Sequence, residues 1–173
     1  MPHWDGQVLP EFDGDGALFS PCRRYRHLLW RRWSSAPPLV FVCLNPSTAD
    51  EQNNDPTNRR TIGFARALGF GGMVMANLYA YRATQPKDLF RAIDPVGPDN
   101  DQILAALGNA GLTLVAGWGN HGHRPERLAQ IRSLSFSALR VNGTGAPAHP
   151  LYLPKELGLQ PYAIDQGMLS PMR

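Results

Sequence analysis

Cysteine is scarce. Cys22 and Cys43 are the two in 173 residues, and neither belongs to a Cys-x-x-Cys pair. That excludes a disulfide framework, a zinc ribbon and a four-cysteine iron–sulfur site, and it makes a reducing, cytoplasmic setting the expectation. No apolar run nears the roughly 20 residues that cross a bilayer, so no membrane association is expected. The opening stretch MPHWDGQVLPEFDGDG carries acids and no apolar core, which is not the build of a signal peptide. Charge is sparse at 18% of residues, yet hydrophobic residues reach 43%, so the chain can form a core and global disorder is excluded.

A chain of this length fits one domain and buries roughly 70% of its unfolded surface, with no need of staples. The 17 glycines and 16 prolines are spread out and read as punctuation between elements. Residues 1–20 read as an N-terminal loop segment and 21–173 as a single domain, expected to be a monomer. A net charge of +3 is mildly basic and compatible with a polyanionic partner.

From Cys22 to Trp33 five arginines alternate with apolar and aromatic residues. The stretch predicts an edge strand or hairpin arm, with a short basic helix as the alternative. Its arginines form either a solvated face or part of a phosphate-binding surface. Leu39–Leu44 is a continuous apolar run stopped by Asn45-Pro46, as expected of a strand buried on both faces. Met73–Tyr79, Leu112–Ala116 and Phe136–Val141 predict three more strands. Helices are expected at Arg59–Leu68, Lys87–Ala92, Asp99–Leu107 and Pro125–Ser133, with a last helical turn at Leu153–Leu157. Asp55-Pro56 and the run Pro98–Asp101 supply cap chemistry. Strand and helix alternate, which predicts an α/β fold: a three-layer sandwich around a central, mostly parallel four-stranded sheet, plus the N-terminal edge strand or hairpin.

In such sheets ligands sit beyond the carboxyl ends of the strands. Asn45 and Ser47 follow the first strand, Asn77, Tyr79 and Arg82 end or follow the second, Trp118-Gly119-Asn120-His121 the third, and His149-Pro150-Leu151-Tyr152 the fourth. Each residue has a plainer role open to it: a turn asparagine, a satisfied buried amide, a core tryptophan. Their convergence on one edge predicts a site. His121 and His123 lack a third ligand at standard spacing, so neither a metal nor a cofactor is expected.

These strand ends resemble the uracil-DNA glycosylase superfamily. Cys43-Leu44-Asn45-Pro46-Ser47 is similar to its first motif, and Met75–Ala83 to the strand carrying its base-reading asparagine. Leu114–Gly122 is similar to its Leu-Leu-Trp-Gly strand, and Ala148-His149-Pro150-Leu151 to its closing His-Pro-Ser motif. Asp55–Arg60 resembles the Pro-x-Asn-Arg stretch of the mismatch-specific branch. The resemblance covers about residues 39–155. The whole run LNPSTAD…DPTNRR…NLYAYRAT…WGNHG…HPLYL also resembles, more closely, a family of small bacterial and phage proteins of unknown function. Two departures stand out: the most active branch has aspartate where this chain has Asn45, and Leu151 replaces a serine.

The superfamily resemblance implies a DNA glycosylase that hydrolyses the N-glycosidic bond of uracil or a modified pyrimidine, with single- or double-stranded DNA as partner. Asn45 would orient a water, since an amide cannot take its proton. His149 would stabilise the departing base. Asp50, or Asp55, would be the base if it folded back toward Asn45; otherwise both are loop or cap residues. Asn77 would read the base edge, and Phe64, Tyr79 or Trp118 would stack on an extruded base. Leu151 or Tyr152 would wedge into the vacated stack. Ser47, Arg59, Arg60, Arg82 and Arg124 would contact DNA. Two other classes remain open: a base-binding module of the same fold without chemistry, and a hydrolase or transferase acting on a free modified nucleotide.

Overall fold

Two consecutive prolines and a six-residue apolar run place one strand at the centre of everything else. This strand, β3 (Pro38–Cys43), is buried at every position. It has parallel neighbours on both sides, with Val40 in register with Val74 and with Leu114. The computed structural model describes residues 4–6 and 8–164; the parts of the expected N-terminal segment and domain that fall on 1–3, 7 and 165–173 lie outside it. The remaining strands are β1 (Asp15–Phe19), β2 (Arg26–Arg32), β4 (Gly72–Asn77), β5 (Leu114–Ala116), β6 (Phe136–Ala138) and β7 (Gln160–Tyr162). The helices are α1 (Pro56–Ala67), α2 (Pro86–Leu89), α3 (Asn100–Asn109), α4 (Gly119–Gly122) and α5 (Pro125–Gln130), and Pro150–Tyr152 makes a 3-10 turn.

The fold is α/β, and the sheet is larger than the expected four strands. It holds seven, in the order β1-β2-β4-β3-β5-β6-β7. The four strands foreseen from apolar runs are contiguous and mutually parallel, while β1, β2 and β7 add antiparallel edges. Residues 1–20 are therefore not all loop. Asp15–Phe19 pairs with β2, and Trp4 and Phe12 are buried. Periodicity missed β1 because DGALF is too short to show alternation. The expected turn at Leu153–Leu157 is replaced by the 3-10 turn before it, where Pro150 is compatible with a tight helical start and Pro154 is not compatible with continuation.

Alternation along the strands sorts side chains onto two faces. Leu39, Phe41, Cys43, Met73 and Met75 pack under Phe64 and Ala65 of α1. Val40, Val42, Val74 and Ala76 pack under Ile103, Leu104 and Leu107 of α3 and Leu128 of α5. Helices thus cover both faces. α1 starts where Pro56 occupies its first turn and the Asp55 carboxylate accepts the Asn58 backbone N–H at 2.8 Å. α3 departs from the expected capping. The Asp99 side chain makes no cap bond, and Asn100 instead turns inward and donates to the carbonyls of Asn77 and Leu78. No helix among the described residues is long and apolar enough to cross a membrane.

The strand order fixes where a ligand can enter. From β3 the chain moves through α1 to β4 on one side, then through α3 to β5 on the other. The carboxyl ends of β3 and β5 are therefore left with connections departing in opposite directions, the crevice where open α/β sheets bind ligands.

Candidate functional site

A cleft of about 720 Å³ opens at that crevice. Leu44, Asn45 and Ser47 after β3, Trp118 to His121 after β5, Arg140 and Asn142 after β6, and His149 to Leu153 around the 3-10 turn line it. Thr57, Ala83, Thr84 and Pro86 line it too, so segments far apart in sequence meet there.

Asn45 is fixed by its amide nitrogen, which donates to the carbonyls of Ala83 at 2.8 Å and Pro46 at 3.0 Å. With both N–H groups turned to the main chain, its Oδ1 is the acceptor left over. The loop that follows is held from beneath by arginines. Arg26 donates to the Ala49 carbonyl at 2.7 Å, and Arg31 to the Asp50 carbonyl at 2.8 Å and Asn54 Oδ1 at 3.0 Å. Arg23 pairs with Glu51 at 2.9 Å. Arg26 and Arg31 are buried, so these two belong to neither a solvated face nor a phosphate-binding surface, whereas Arg24 is exposed and Arg23 and Arg32 are half-buried. Burial lowers the Arg26 guanidinium to about 10, which still leaves it charged at neutral pH.

His149 arrives from the opposite side. A hairpin closed by Asn142 N–H on Ala146 and Ala148 N–H on Arg140 carries the chain back from β6. Its position depends on a close approach: a Cβ on Gly117 would lie 3.1 Å from Pro150 Cδ and 3.5 Å from Cys43 Sγ. His149 Nδ1 accepts the Leu151 backbone N–H at 3.2 Å. The neutral ring therefore carries its proton on Nε2, and Nε2–H is a donor. Burial lowers the pKa of His149, partly countered by the charge of Asp55, so the ring is neutral at pH 7.

Ser47, Leu151 and Tyr152 also line the cleft, and Tyr152 stands 86% exposed at its rim. The other sequence-predicted residues do not gather there. Asn77 ends β4 in register with Cys43, 1% exposed, and both its amide atoms are buried with no partner among the described residues. Trp118 reaches the cleft as floor, because its ring packs edge-on against Phe136 and Tyr162 and is 1% exposed. Tyr79 packs edge-on against Phe90, and Phe64 is buried between α1 and the sheet, so none of the three aromatics offers a free face. Asp50 lines a different groove with Asp15 and Glu51. Its carboxylate accepts the backbone N–H groups of Gln52 and Asn53, which hold its pKa below the usual range and make it a poor base.

Arg82 sits over the Phe19 ring and donates to the Arg23 carbonyl, and Arg124 lies over Phe90. Arg59 and Arg60 border a separate groove along α1. The sequence reading passed over Arg140 and Asn142, whose signal was their place at the carboxyl end of the fourth predicted strand. Asn142 Nδ2 and Thr144 Oγ1 both donate to Asn120 Oδ1, at 3.1 and 2.7 Å, which presents the Asn120 amide nitrogen as a donor. Among the described residues no carboxylate lines the cleft. Among the described residues no group of three or more His, Cys, Asp or Glu could hold a metal ion.

Chemically the cleft offers a fixed acceptor at Asn45, a neutral donor at His149, amides at Asn120 and Asn142, one cation at Arg140 and an exposed aromatic rim. No curated protein and no solved structure matches the chain. The model of one family, DUF1643, described as a protein of unknown function, matches residues 26–151, a span that runs from β2 to the cleft residue Leu151. The chain belongs to the DUF1643 family.

Proposed function

We propose that this protein excises uracil or a modified pyrimidine from DNA by hydrolysing its N-glycosidic bond. The observation that carries this reading is that Asn45 and His149 line one cleft, the first with its amide oxygen left as acceptor and the second with a neutral Nε2–H. Breaking the bond leaves positive charge on the sugar and an anion on the base. Asn45 Oδ1 orients the attacking water toward the sugar carbon, His149 donates to the base oxygen as charge builds on it, and the departed base anion takes up the proton the water loses on bonding to the sugar. A neutral histidine suits that task, because it needs no proton transfer to stabilise the anion. Asn120 and Asn142 take over the base-reading role expected of Asn77, since they line the cleft and Asn77 does not. Tyr152 at the rim is the group that can occupy the space of an extruded base.

The test is release of free base from oligonucleotides containing uracil or modified thymine. Asn45→Ala and His149→Ala are each expected to slow release about 100-fold or more. One observation favours a second reading, a base-binding module without chemistry: among the described residues the cleft has no carboxylate to act as general base. Saturable binding of the same oligonucleotides with no base released from a broad panel would replace the first reading by the second.

A further inference from the structure

Beside the cleft lies a second groove of about 350 Å³, lined by Arg59, Arg60, Gly63, Phe64, Ala67 and Lys155. Three of its six lining residues are cations and none is an acid. None of the three pairs with a carboxylate among the described residues. The groove and the cleft share a wall, because Arg60 Nη2 donates to the carbonyl of Leu153, a cleft residue. Arg60 Nε is buried and has no partner among the described residues, so a ligand in the groove can meet Arg60 only through its Nη nitrogens. Arg59 is anchored at one nitrogen on the Asn54 carbonyl and is otherwise exposed. Gly63 keeps the floor open, with no atom within 4 Å of where its Cβ would stand.

We infer that this groove binds the phosphodiesters flanking the nucleotide whose base enters the cleft, so that the ligand is a nucleic-acid strand and not a free nucleotide. The inference rests on the reading of the neighbouring cleft as a base pocket. Uncompensated arginines in fork geometry match phosphate oxygens, and Lys155 adds a point charge on the open side. A mononucleotide seated in the cleft would leave this groove empty, whereas a strand continuing past Leu153 would fill it.

The experiment is binding of a fluorescent single strand of about 12 nucleotides by anisotropy over a range of salt. Three phosphate contacts give a slope of log K against log salt of about −2, at about −0.7 per phosphate of a single strand. Gly63→Glu adds a carboxylate at a position where a Cβ meets no atom within 4 Å, and Lys155→Glu reverses an exposed charge. Each is expected to weaken binding about tenfold and to flatten the slope by about 0.7 to 1. Gly63→Ala, which fills the same space without charge, is expected to bind as wild type.

Unchanged affinity and slope in Gly63→Glu and Lys155→Glu would overturn the inference, as would a mononucleotide competing as well as the strand. The two readings fail separately. Base release with unaltered groove variants would leave the glycosylase standing and remove the groove. Salt-dependent, groove-sensitive binding without base release would do the reverse.

Discussion

At the scale of single residues, the surroundings of Asn45 decide which side chain can stand there. Its amide nitrogen faces two main-chain carbonyls, at 2.8 and 3.0 Å. A carboxylate has no N–H to offer and would set negative oxygen against both. Asn45→Asp, although it matches the more active branch of the resembling superfamily, is therefore expected to destabilise the fold by about 1–3 kcal/mol, read by urea denaturation. One of the two bonds is local, to Pro46, while the other reaches Ala83 across 38 residues and exists only in the folded chain.

The aromatic candidates were not legible. Phe64, Tyr79 and Trp118 follow or face strands, and nothing local says whether an aromatic ring lines a pocket or fills a core. All three fill cores, because flat apolar rings gain most where water is fully excluded.

Histidine protonation belongs to this scale too. Burial is the first cause lowering the pKa of His27, His123 and His149 below the ordinary 6.5. Between each folded value and 6.5 the unfolded chain binds more protons than the folded one, so stability falls as pH drops through that window and is fully present above 6.5. The melting temperature is expected to decline on acidification from about pH 7 toward pH 5, and His149→Gln to make that decline shallower. A melting temperature that rises on acidification would contradict the burial of these rings.

At the scale of elements, β2 works as a clamp. Arg31 is 5% exposed and holds three groups: the Trp30 carbonyl at 2.9 Å, the Asp50 carbonyl at 2.8 Å and Asn54 Oδ1 at 3.0 Å. Arg31→Ala leaves those acceptors with poorer partners and is expected to cost about 3 kcal/mol. Amide hydrogen exchange should then quicken first in the loop from Ala49 to Asn54, and exchange that quickens uniformly would contradict the clamp. The stretch from Arg23 to Trp33 could be read as a strand from its alternation, but not as a buried one. Charged residues are normally exposed, and only the loop folding over β2 supplies the carbonyls that let these arginines be covered.

The exit of β5 is a second element-level constraint. Gly117→Ala pushes its methyl onto Pro150, 3.1 Å from Cδ, and Pro150 must yield a few tenths of an ångström. Overpacking of that kind costs about 1 kcal/mol or more. Because His149 is the residue before Pro150, base release, the activity proposed for the cleft, is expected to suffer more than stability does.

For the whole molecule, one sheet carries two cores. Phe41 faces α1 and Leu107 packs on the other face, and both are fully buried. Phe41→Ala and Leu107→Ala are each expected to cost about 2–5 kcal/mol. Since the cores share β3 and its neighbours, each variant should lower one common transition seen alike by far-ultraviolet and near-ultraviolet circular dichroism. Two separated transitions would mean that the faces fold independently.

What the sequence determined by itself is local. Apolar runs bounded by proline and glycine marked the four parallel strands, Asp55-Pro56 marked the start of α1, and polar residues after each strand marked the edge where a ligand could sit. The order of the strands is not local, because it depends on which distant runs pair and on which side each connection crosses. Only the tertiary structure placed β4 and β5 on opposite sides of β3, which opens the cleft and lets Asn45 and His149 share it. The same packing turned Asn77 into the interior: a strand's alternation says which residues share a face, but not whether that face meets a cleft or a helix.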